Sequence, residues 1–414
     1  MTRSSAPPIA VCFHRLGPYH HARLRAANAR RPLVAVEFCS VDATYAWAQV
    51  REPTDFDKVT LFDGADVDTR PRPAIRRRVA EVLARLDPSV VVVPGWSHPA
   101  ALAALEWSSS RRRPAVLMSE STAHDERRRW WREAVKRRIV AVGSAALAAG
   151  APQSAYLRAL GLRSDAVFSG YDAVDNAYFA DRAAQARDRA EAERARLGLP
   201  ERFFLASARF VAKKNLVRLV RACARYWQDA GAAAWPLVLL GDGALRPRIE
   251  AEVQALNLEE AVLLPGFRQY HELPAYYGLA GAFVHASTTE QWGLVVNEAM
   301  ASGLPVIVSK RCGCAPDLVQ TGVNGFTFDP CDVDELAGLM QRVAAMTDER
   351  RLAMGRASQR IIADWGPERF ADGLMQAVEA AIRRPPPRAG WPDRLLLAAL
   401  ISRRPGTSCD RRHR

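Results

Sequence analysis

Residues 285–309 read HASTTEQWGLVVNEAMASGLPVIVS, and this stretch decides the reading of the chain. It holds two carboxylates eight residues apart, Glu290 and Glu298, with Gly293-Leu294-Val295-Val296-Asn297 between them. Ala282 to Val284 before it is apolar enough for a buried strand, and Val306-Ile307-Val308 after it is a second. Thr288 and Thr289 are expected to end the first strand and cap the next helix, because hydroxyls satisfy the open N–H groups of a helix start. Gly293 to Ser302 favours helix, and Gly303 with Pro305 stops it. The result is a strand–loop–helix–strand unit. Glu290 stands in the loop at the strand's C-terminal end, where open α/β sheets bind ligands. The helix start at Gly293 and Leu294 suits a phosphate, and Glu298, more than a turn further in, can accept from ribose hydroxyls. The pattern proposes a sugar nucleotide, with its diphosphate at the helix start, its ribose at Glu298 and its sugar hydroxyls at Glu290.

These residues, with the interleaved Gly-Leu, the adjoining SGLPVIVS and the later GVNGF turn, resemble the Glu-x7-Glu signature of retaining glycosyltransferase family 4. The resemblance is strong over 203–330 and weaker over 9–175. It implies a GT-B fold, with two Rossmann-like α/β domains whose parallel sheets face each other across a cleft. It also implies Glu290 as a catalytic residue that steadies positive charge on the transferred sugar. The same two carboxylates on a plain surface loop and a solvated helix are the alternative.

The chain of 414 residues suffices for two domains, and 49% hydrophobic residues supply two cores. A net charge of +13 predicts attraction to anions: nucleoside diphosphates, nucleic acid or an anionic membrane face. Seven cysteines show no CxxC spacing, and Cys312-Gly-Cys314 has no histidine near it in sequence, so reduced thiols in a cytoplasmic protein are expected. The first eight residues show no signal peptide, and no run of about 18 apolar residues predicts a membrane span.

Strand-like runs at 8–13, 33–38, 90–93, 115–118 and 139–142 alternate with helix-prone segments. A second set lies at 203–206, 237–240, 262–264, 282–285, 306–309 and 326–328. Such alternation implies parallel sheets covered on both faces. The expected organisation is an acceptor-binding domain over 9–178, a charged, Ala-rich, partly helical linker over 179–199 and a donor-binding domain over 200–365. A helix over 366–383 then crosses back to the first domain, and a Pro/Arg-rich tail over 384–414 is expected to be disordered, with Leu395 to Ile401 as a short docking helix.

Arg209 and Lys214 stand five apart just before a helix, where a guanidinium fork and an ammonium can converge on a diphosphate. The family carries Arg-x4-Lys there to neutralise the leaving group; Asn215 stands where it often has Gly. Gly241-Asp242-Gly243 is given a structural role under the nucleotide. Pro265-Gly266-Phe267-Arg268 resembles the loop bordering the base, with Phe267 beside it. Gly17 matches a family turn near the donor diphosphate, although that turn has only this one glycine. On the acceptor side the family places a histidine at the end of strand 115–118. This chain has Glu120 there, a candidate general base, with His124 four residues on. His98, at a strand end, and His20, opening a helix, are further candidates, each also readable as a polar surface residue.

Residues 126–140, ERRRWWREAVKRRIV, form a basic helix with Trp130, Trp131, Ala134, Val135 and Ile139 on one side. The apolar side either packs on the first sheet or lies on an anionic membrane. The whole reads as a hexosyltransferase-type enzyme that moves sugar from a nucleoside diphosphate sugar to a hydroxyl acceptor, with no cofactor and no metal. A protein that binds or epimerises the sugar nucleotide is one alternative. A basic nucleic-acid-binding protein is another, but aromatic residues are not interleaved with the basic runs and no recognised module is present, so no nucleic-acid partner is expected.

Overall fold

The computed structural model describes residues 7–41, 54–64 and 66–403. The chain divides into two compact units. One runs up to Ala173 and resumes at Pro367; the other is Val174–Gly366.

Among the described residues, the first unit has strands β1 (Ile9–Phe13), β2 (Leu33–Cys39), β3 (Asp57–Phe62), β4 (Val90–Pro94), β5 (Ala115–Ser119), β6 (Ala145–Ala148) and β7 (Val167–Ser169). They form a parallel sheet in the order β3-β2-β1-β4-β5-β6-β7. Alternation builds two cores. Ile9, Val11, Phe13, Val90 and Val92 face one side, against helices Pro18–Arg30 and Pro367–Ile382. Ala10, Cys12, Val91 and Val93 face the other, with Ile75, Val79, Leu102 and Leu105 of helices Arg72–Leu86 and Pro99–Ser110. Each aliphatic side chain so buried contributes roughly 1.5–3 kcal/mol. Helix Pro367–Ile382 buries Phe370, Leu374 and Val378 in the first core, and Gly373 lets it approach: a Cβ there would sit 2.3 Å from the Ser169 carbonyl oxygen.

The second unit has β8 (Phe204–Ser207), β9 (Leu237–Leu240), β10 (Val262–Gly266), β11 (Ala282–His285), β12 (Val306–Ser309) and β13 (Gly325–Phe328). These are parallel in the order β10-β9-β8-β11-β12-β13. In both sheets the chain order reverses at the first strand, β1 or β8, and the C-terminal edge beside it is the ligand edge of such folds.

Four expectations need correction. Residues 139–142 are not a strand; Ile139 and Val140 end helix Trp130–Val140, and the strand comes later as the Ala-rich β6. β3 and the short β7 add to the expected strands; Asp57 and Lys58 break the apolar pattern of β3, and β7 is only three residues long. The stretch 179–199 is not a linker. It lies mostly in helices Asn176–Asp188 and Ala190–Leu197, which belong to the second unit. Phe179 and Ala183 are buried, and Arg187 donates to the Ser302 carbonyl at 3.0 Å. Within the expected tail, helix Trp391–Ser402 is ordered, with Leu397 and Ile401 in the first unit's core. Among the described residues no helix is long and apolar enough to cross a membrane.

Candidate functional site

At the C-terminal edge of the second sheet, residues 286–293 lead from β11 into helix Leu294–Ala301. Glu290 sits in this loop as expected. Its backbone bridges Cys312: its N–H donates to the Arg311 carbonyl at 3.3 Å, and its carbonyl accepts from Gly313 N–H at 2.9 Å. Its carboxylate is nearly enclosed. It pairs with Lys214, lies 3.4 Å from Lys213 Nζ, accepts from Ser287 Oγ at 3.4 Å and lies 3.7 Å from His285 Nε2. Burial works against its charge, but the nearby His285 ring and the charges of Lys214 and Lys213 outweigh it and hold Glu290 well below the usual carboxylate range. A fixed anion among fixed cations is what a site needs where charge moves during reaction.

The threonines do not cap the helix. Thr288 is tied instead to the Lys213 carbonyl through its N–H, at 2.8 Å, and its hydroxyl, at 3.2 Å. The N-cap is Gly293, whose φ of 107° lies in the left-handed region that glycine enters without strain. A side chain there is also excluded sterically, since a Cβ would lie 2.9 Å from Cys312 Sγ. Gly293, Leu294 and Val295 are only half-buried, so the open first turn of the helix faces out of the core.

Glu298 lies in helix Leu294–Ala301, as the spacing predicts. The structure buries it completely, and its carboxylate accepts the Tyr277 hydroxyl at 2.6 Å. Burial and the Glu298 charge hold Tyr277 neutral, well above the usual phenol range. The helical spacing was legible, but the inward aim of the fifth residue of this helix was not.

Arg209 lies two residues past β8, half-buried, in a loop braced from below by the Gly241–Gly243 turn. Phe210 N–H donates to the Asp242 carbonyl at 2.8 Å, and a Cβ on Gly241 would fall 1.8 Å from the Ala208 carbonyl oxygen. Lys214 ends a 3-10 turn, Ala212–Lys214, and Asn215 comes next with φ 61°. That conformation explains why Asn can stand where Gly is common. Asn215 Nδ2 also holds the Ala286 and Pro330 carbonyls at 3.0 and 2.7 Å, which fixes the lysine turn to the end of β11. Phe267 stands one residue beyond β10 and is half-buried.

The sequence reading missed His285, Lys213 and Cys312. His285 is buried at the end of β11; burial lowers its pKa, but Cys312 and Glu290 raise it above the ordinary value. Cys312 Sγ donates to the Trp292 carbonyl at 2.8 Å and lies 3.4 Å from Cys314 Sγ. Burial would raise this thiol, but Cys314 and His285 outweigh it and bring it to about 6. A histidine closing a strand, directly before the loop that carries Glu290, was the signal that could have found this cluster.

The acceptor-side candidates and Gly17 belong to the first unit. Glu120 is half-buried directly past β5. His124 is exposed in a turn held by Thr122 and Asp125. His98 caps helix Pro99–Ser110: its Nδ1 accepts from Ala100 N–H at 3.2 Å and its Nε2 lies 3.3 Å from Asp68 Oδ1. Nδ1 is thus spent on the helix cap, and Nε2 is buried beside the Asp68 carboxylate without a hydrogen bond of good geometry. His20 Nδ1 accepts the Gly17 N–H at 3.0 Å, against the Phe13 ring. Enclosure, then Arg23, His21 and Arg15, lowers His20 to about 3, so it is a neutral acceptor. Gly17 has φ −115°, and a Cβ there would meet His20 Nδ1 at 3.7 Å, an ordinary contact, so nothing local demands glycine.

Residues 189–360 match the family described as glycosyl transferases group 1. The second unit is similar to the group 1 glycosyl transferases. Over 184 residues the chain is 31% identical to a putative colanic acid biosynthesis glycosyltransferase of Escherichia coli, across 41% of this chain and 44% of that one. It is 31% identical over 208 residues to D-inositol 3-phosphate glycosyltransferase of Thermobifida fusca, across 47% and 46%. The chain spans less than half the length of these curated relatives. Its fold is similar to Anabaena HepE, solved with UDP-glucose, with a TM-score of 0.71 at 18% identity over 90% of this chain and 99% of that one. Sucrose-phosphate synthase from Thermosynechococcus elongatus gives 0.69 at 20% identity over 89% and 97%. The fold is two parallel-sheet, Rossmann-like α/β domains of the GT-B glycosyltransferase kind.

Proposed function

We propose that the protein is a retaining glycosyltransferase of the family 4 kind, moving sugar from a nucleoside diphosphate sugar to a hydroxyl acceptor. The observation that carries this reading is Glu290, held ionised between Lys214 and His285 beside an open helix N-terminus. A nucleoside diphosphate leaves the anomeric carbon as negative charge grows on its bridging oxygen. Arg209, Lys214 and the first-turn amides at Gly293 and Leu294 receive that charge. An arriving diphosphate competes with Glu290 for Lys214. Glu290 positions the sugar and steadies positive charge at its ring, while the acceptor hydroxyl, relieved of its proton by Glu120, attacks from the same face. Glu298 becomes a ribose acceptor when the Tyr277 hydroxyl turns away, and Phe267 borders the base. Residues 200–365 carry the donor side and 9–178 the acceptor side.

The test offers UDP-, GDP-, TDP- and ADP-sugars in a thermal-shift panel, UDP-glucose first, since HepE is solved with it. A ligand at 100 times its Kd adds about 2.7 kcal/mol. A donor that raises Tm should then yield free nucleoside diphosphate and a product with the donor's anomeric configuration. An inverted product overturns retention; a donor consumed without an acceptor product points to binding or epimerisation. If no sugar nucleotide shifts Tm, the donor site is wrong.

A peripheral membrane contact is a second reading, favoured by side chains left outside the core. Trp130 is 84% exposed, Trp131 42% and Trp391 76%. Arg137, on the same basic helix, is exposed and Arg138 pairs with Asp393 at 2.7 Å, which joins helices Trp130–Val140 and Trp391–Ser402. Indoles beside arginines suit an anionic interface. Co-sedimentation with phosphatidylglycerol vesicles should be seen at low salt and lost on Trp130→Ala/Trp391→Ala. Equal sedimentation of the variant would remove the contact.

A further inference from the structure

At the ligand edge of the first sheet, three side chains of different chemistry converge. His14 stands directly after β1, Cys39 is the last residue of β2, and Asp66 opens the 3-10 turn Val67–Thr69 after β3. One ligand atom from each, an imidazole nitrogen, the Sγ and a carboxylate oxygen, lies within 4.8 Å of both others. The His14 Nε2 to Cys39 Sγ separation is 3.7 Å. Ligand atoms around a tetrahedral zinc, at bonds of about 2.0 to 2.3 Å, stand roughly 3.5 Å apart. The His14–Cys39 separation already matches that spacing, and Asp66 lies within 4.8 Å of both.

The surroundings fix the three groups. Cys39 N–H donates to the His14 carbonyl at 3.0 Å, which locks the two strand ends together. The His14 ring packs edge-on against His98, 4.6 Å between centroids, and His98 is held by Ala100 and Asp68. Asp66 Oδ1 accepts from Asp68 N–H at 2.9 Å, which holds its carboxylate at the start of the turn. Cys39 is buried, while His14 and Asp66 are half-exposed, so an ion would enter from their side.

We propose that His14, Cys39 and Asp66 bind one zinc ion, with the fourth position open to water or to an oxygen of a bound ligand. Sulfur, imidazole nitrogen and carboxylate together match zinc rather than magnesium or calcium, which take oxygen sets. Binding releases the Cys39 proton to solvent and leaves a thiolate on the metal. The ion would bring a fixed positive charge to the first unit's ligand edge. This does not rest on the donor reading, since all three residues lie in the other unit.

The test uses the full chain, stripped with chelator, mixed with zinc chloride alone, desalted and analysed for metal. About one equivalent per chain is expected. Cobalt(II) should give a thiolate charge-transfer band that Cys39→Ala abolishes and His14→Ala weakens. Cys312→Ser/Cys314→Ser serves as a control, because those thiols also lie near a histidine; it should keep the metal and the band. Retention of neither metal nor cobalt spectrum by the wild type overturns the proposal. So does metal lost in the Cys312/Cys314 variant but kept in Cys39→Ala. If Cys39→Ala fails to fold, Cys39→Asp, which keeps a ligand but no sulfur, should still bind zinc while losing the cobalt band; a band that persists overturns the assignment.

Discussion

The C-terminal edges of the two sheets are built on different principles. At the second, charges are concentrated and paired: Glu290 with Lys214 and Lys213, beside His285. At the first, polar groups spend their hydrogen-bonding capacity on the backbone: His20 accepts from Gly17, His98 from Ala100, and buried Glu37 from Leu16 N–H at 2.8 Å. A diphosphate is the same anion whatever sugar it carries, so a charged constellation can serve many donors. At the first edge the carboxylates of Glu37 and Asp68 are met singly, by Leu16 N–H and Lys58 and by His98, and leave no short charged motif to read.

If the charged edge does the chemistry, Glu290→Gln should lower kcat by roughly 10²–10³-fold, as for loss of one preorganised electrostatic contact. Nucleoside diphosphate binding should not weaken, because Lys214 is freed; steady-state kinetics with calorimetry checks both. Full activity in this variant would erase the contrast between the edges.

The first unit's stability should depend on a single enclosed pair. Arg23 lies 3.3 Å from Asp172, both almost fully buried, and its Nε donates to the Ala173 carbonyl at 2.8 Å. Arg23→Ala removes the buried guanidinium that faces the Asp172 carboxylate and should cost about 3–5 kcal/mol in urea unfolding. A change below about 1 kcal/mol, a surface pair's worth, would mean that the pair is not structural.

Tyr277→Phe is smaller and sharpens the Glu298 assignment. Removing the hydroxyl should cost about 1–3 kcal/mol of stability, because buried Glu298 loses the Tyr277 hydrogen bond. Glu298→Gln should raise KM for the donor more than it lowers kcat. The reverse pattern would move Glu298 to the chemical step.

The mildest effect separates the edges by pH. His20 has a folded pKa of about 3, below the unfolded value, so the unfolded chain binds the extra proton between those limits. Stability should therefore fall as pH drops from about 6.5 toward 3. Glu290, depressed in the fold, adds loss only below about 4.5, the ordinary carboxylate range. Between about pH 7 and 5, His20→Asn, which keeps an acceptor but does not titrate, should lose less Tm than the wild type. Equal losses would clear His20 of the effect.

Much of the second unit was legible because its signals are local. The strand runs, the stop at Gly303 and the loop position of Glu290 lie within 285–309. What stayed hidden depends on distance in the chain. His285 meets Cys312 only because β11 pairs with β12, and Glu298 meets Tyr277 from a helix 21 residues away. In the first unit, β3 is masked by its charged start and β6 by alanines that read equally well as helix. The helices of 179–199 resemble a linker in composition because their polar faces dominate it, while the burial of the first of them rests on Phe179, Ala183 and Ala186.

Helix Pro367–Ile382 completes the core of a sheet whose last strand ends at Ser169. The second unit is thus an insertion between two parts of the first. On a ribosome the first sheet therefore emerges early but must wait for nearly the whole chain before Phe370, Leu374 and Val378 can cover it. The second unit has all its own strands by Phe328 and its last helix by Ala363. In the usual order N-terminal domains fold first during synthesis; here the later-made unit has all its segments before the earlier one does.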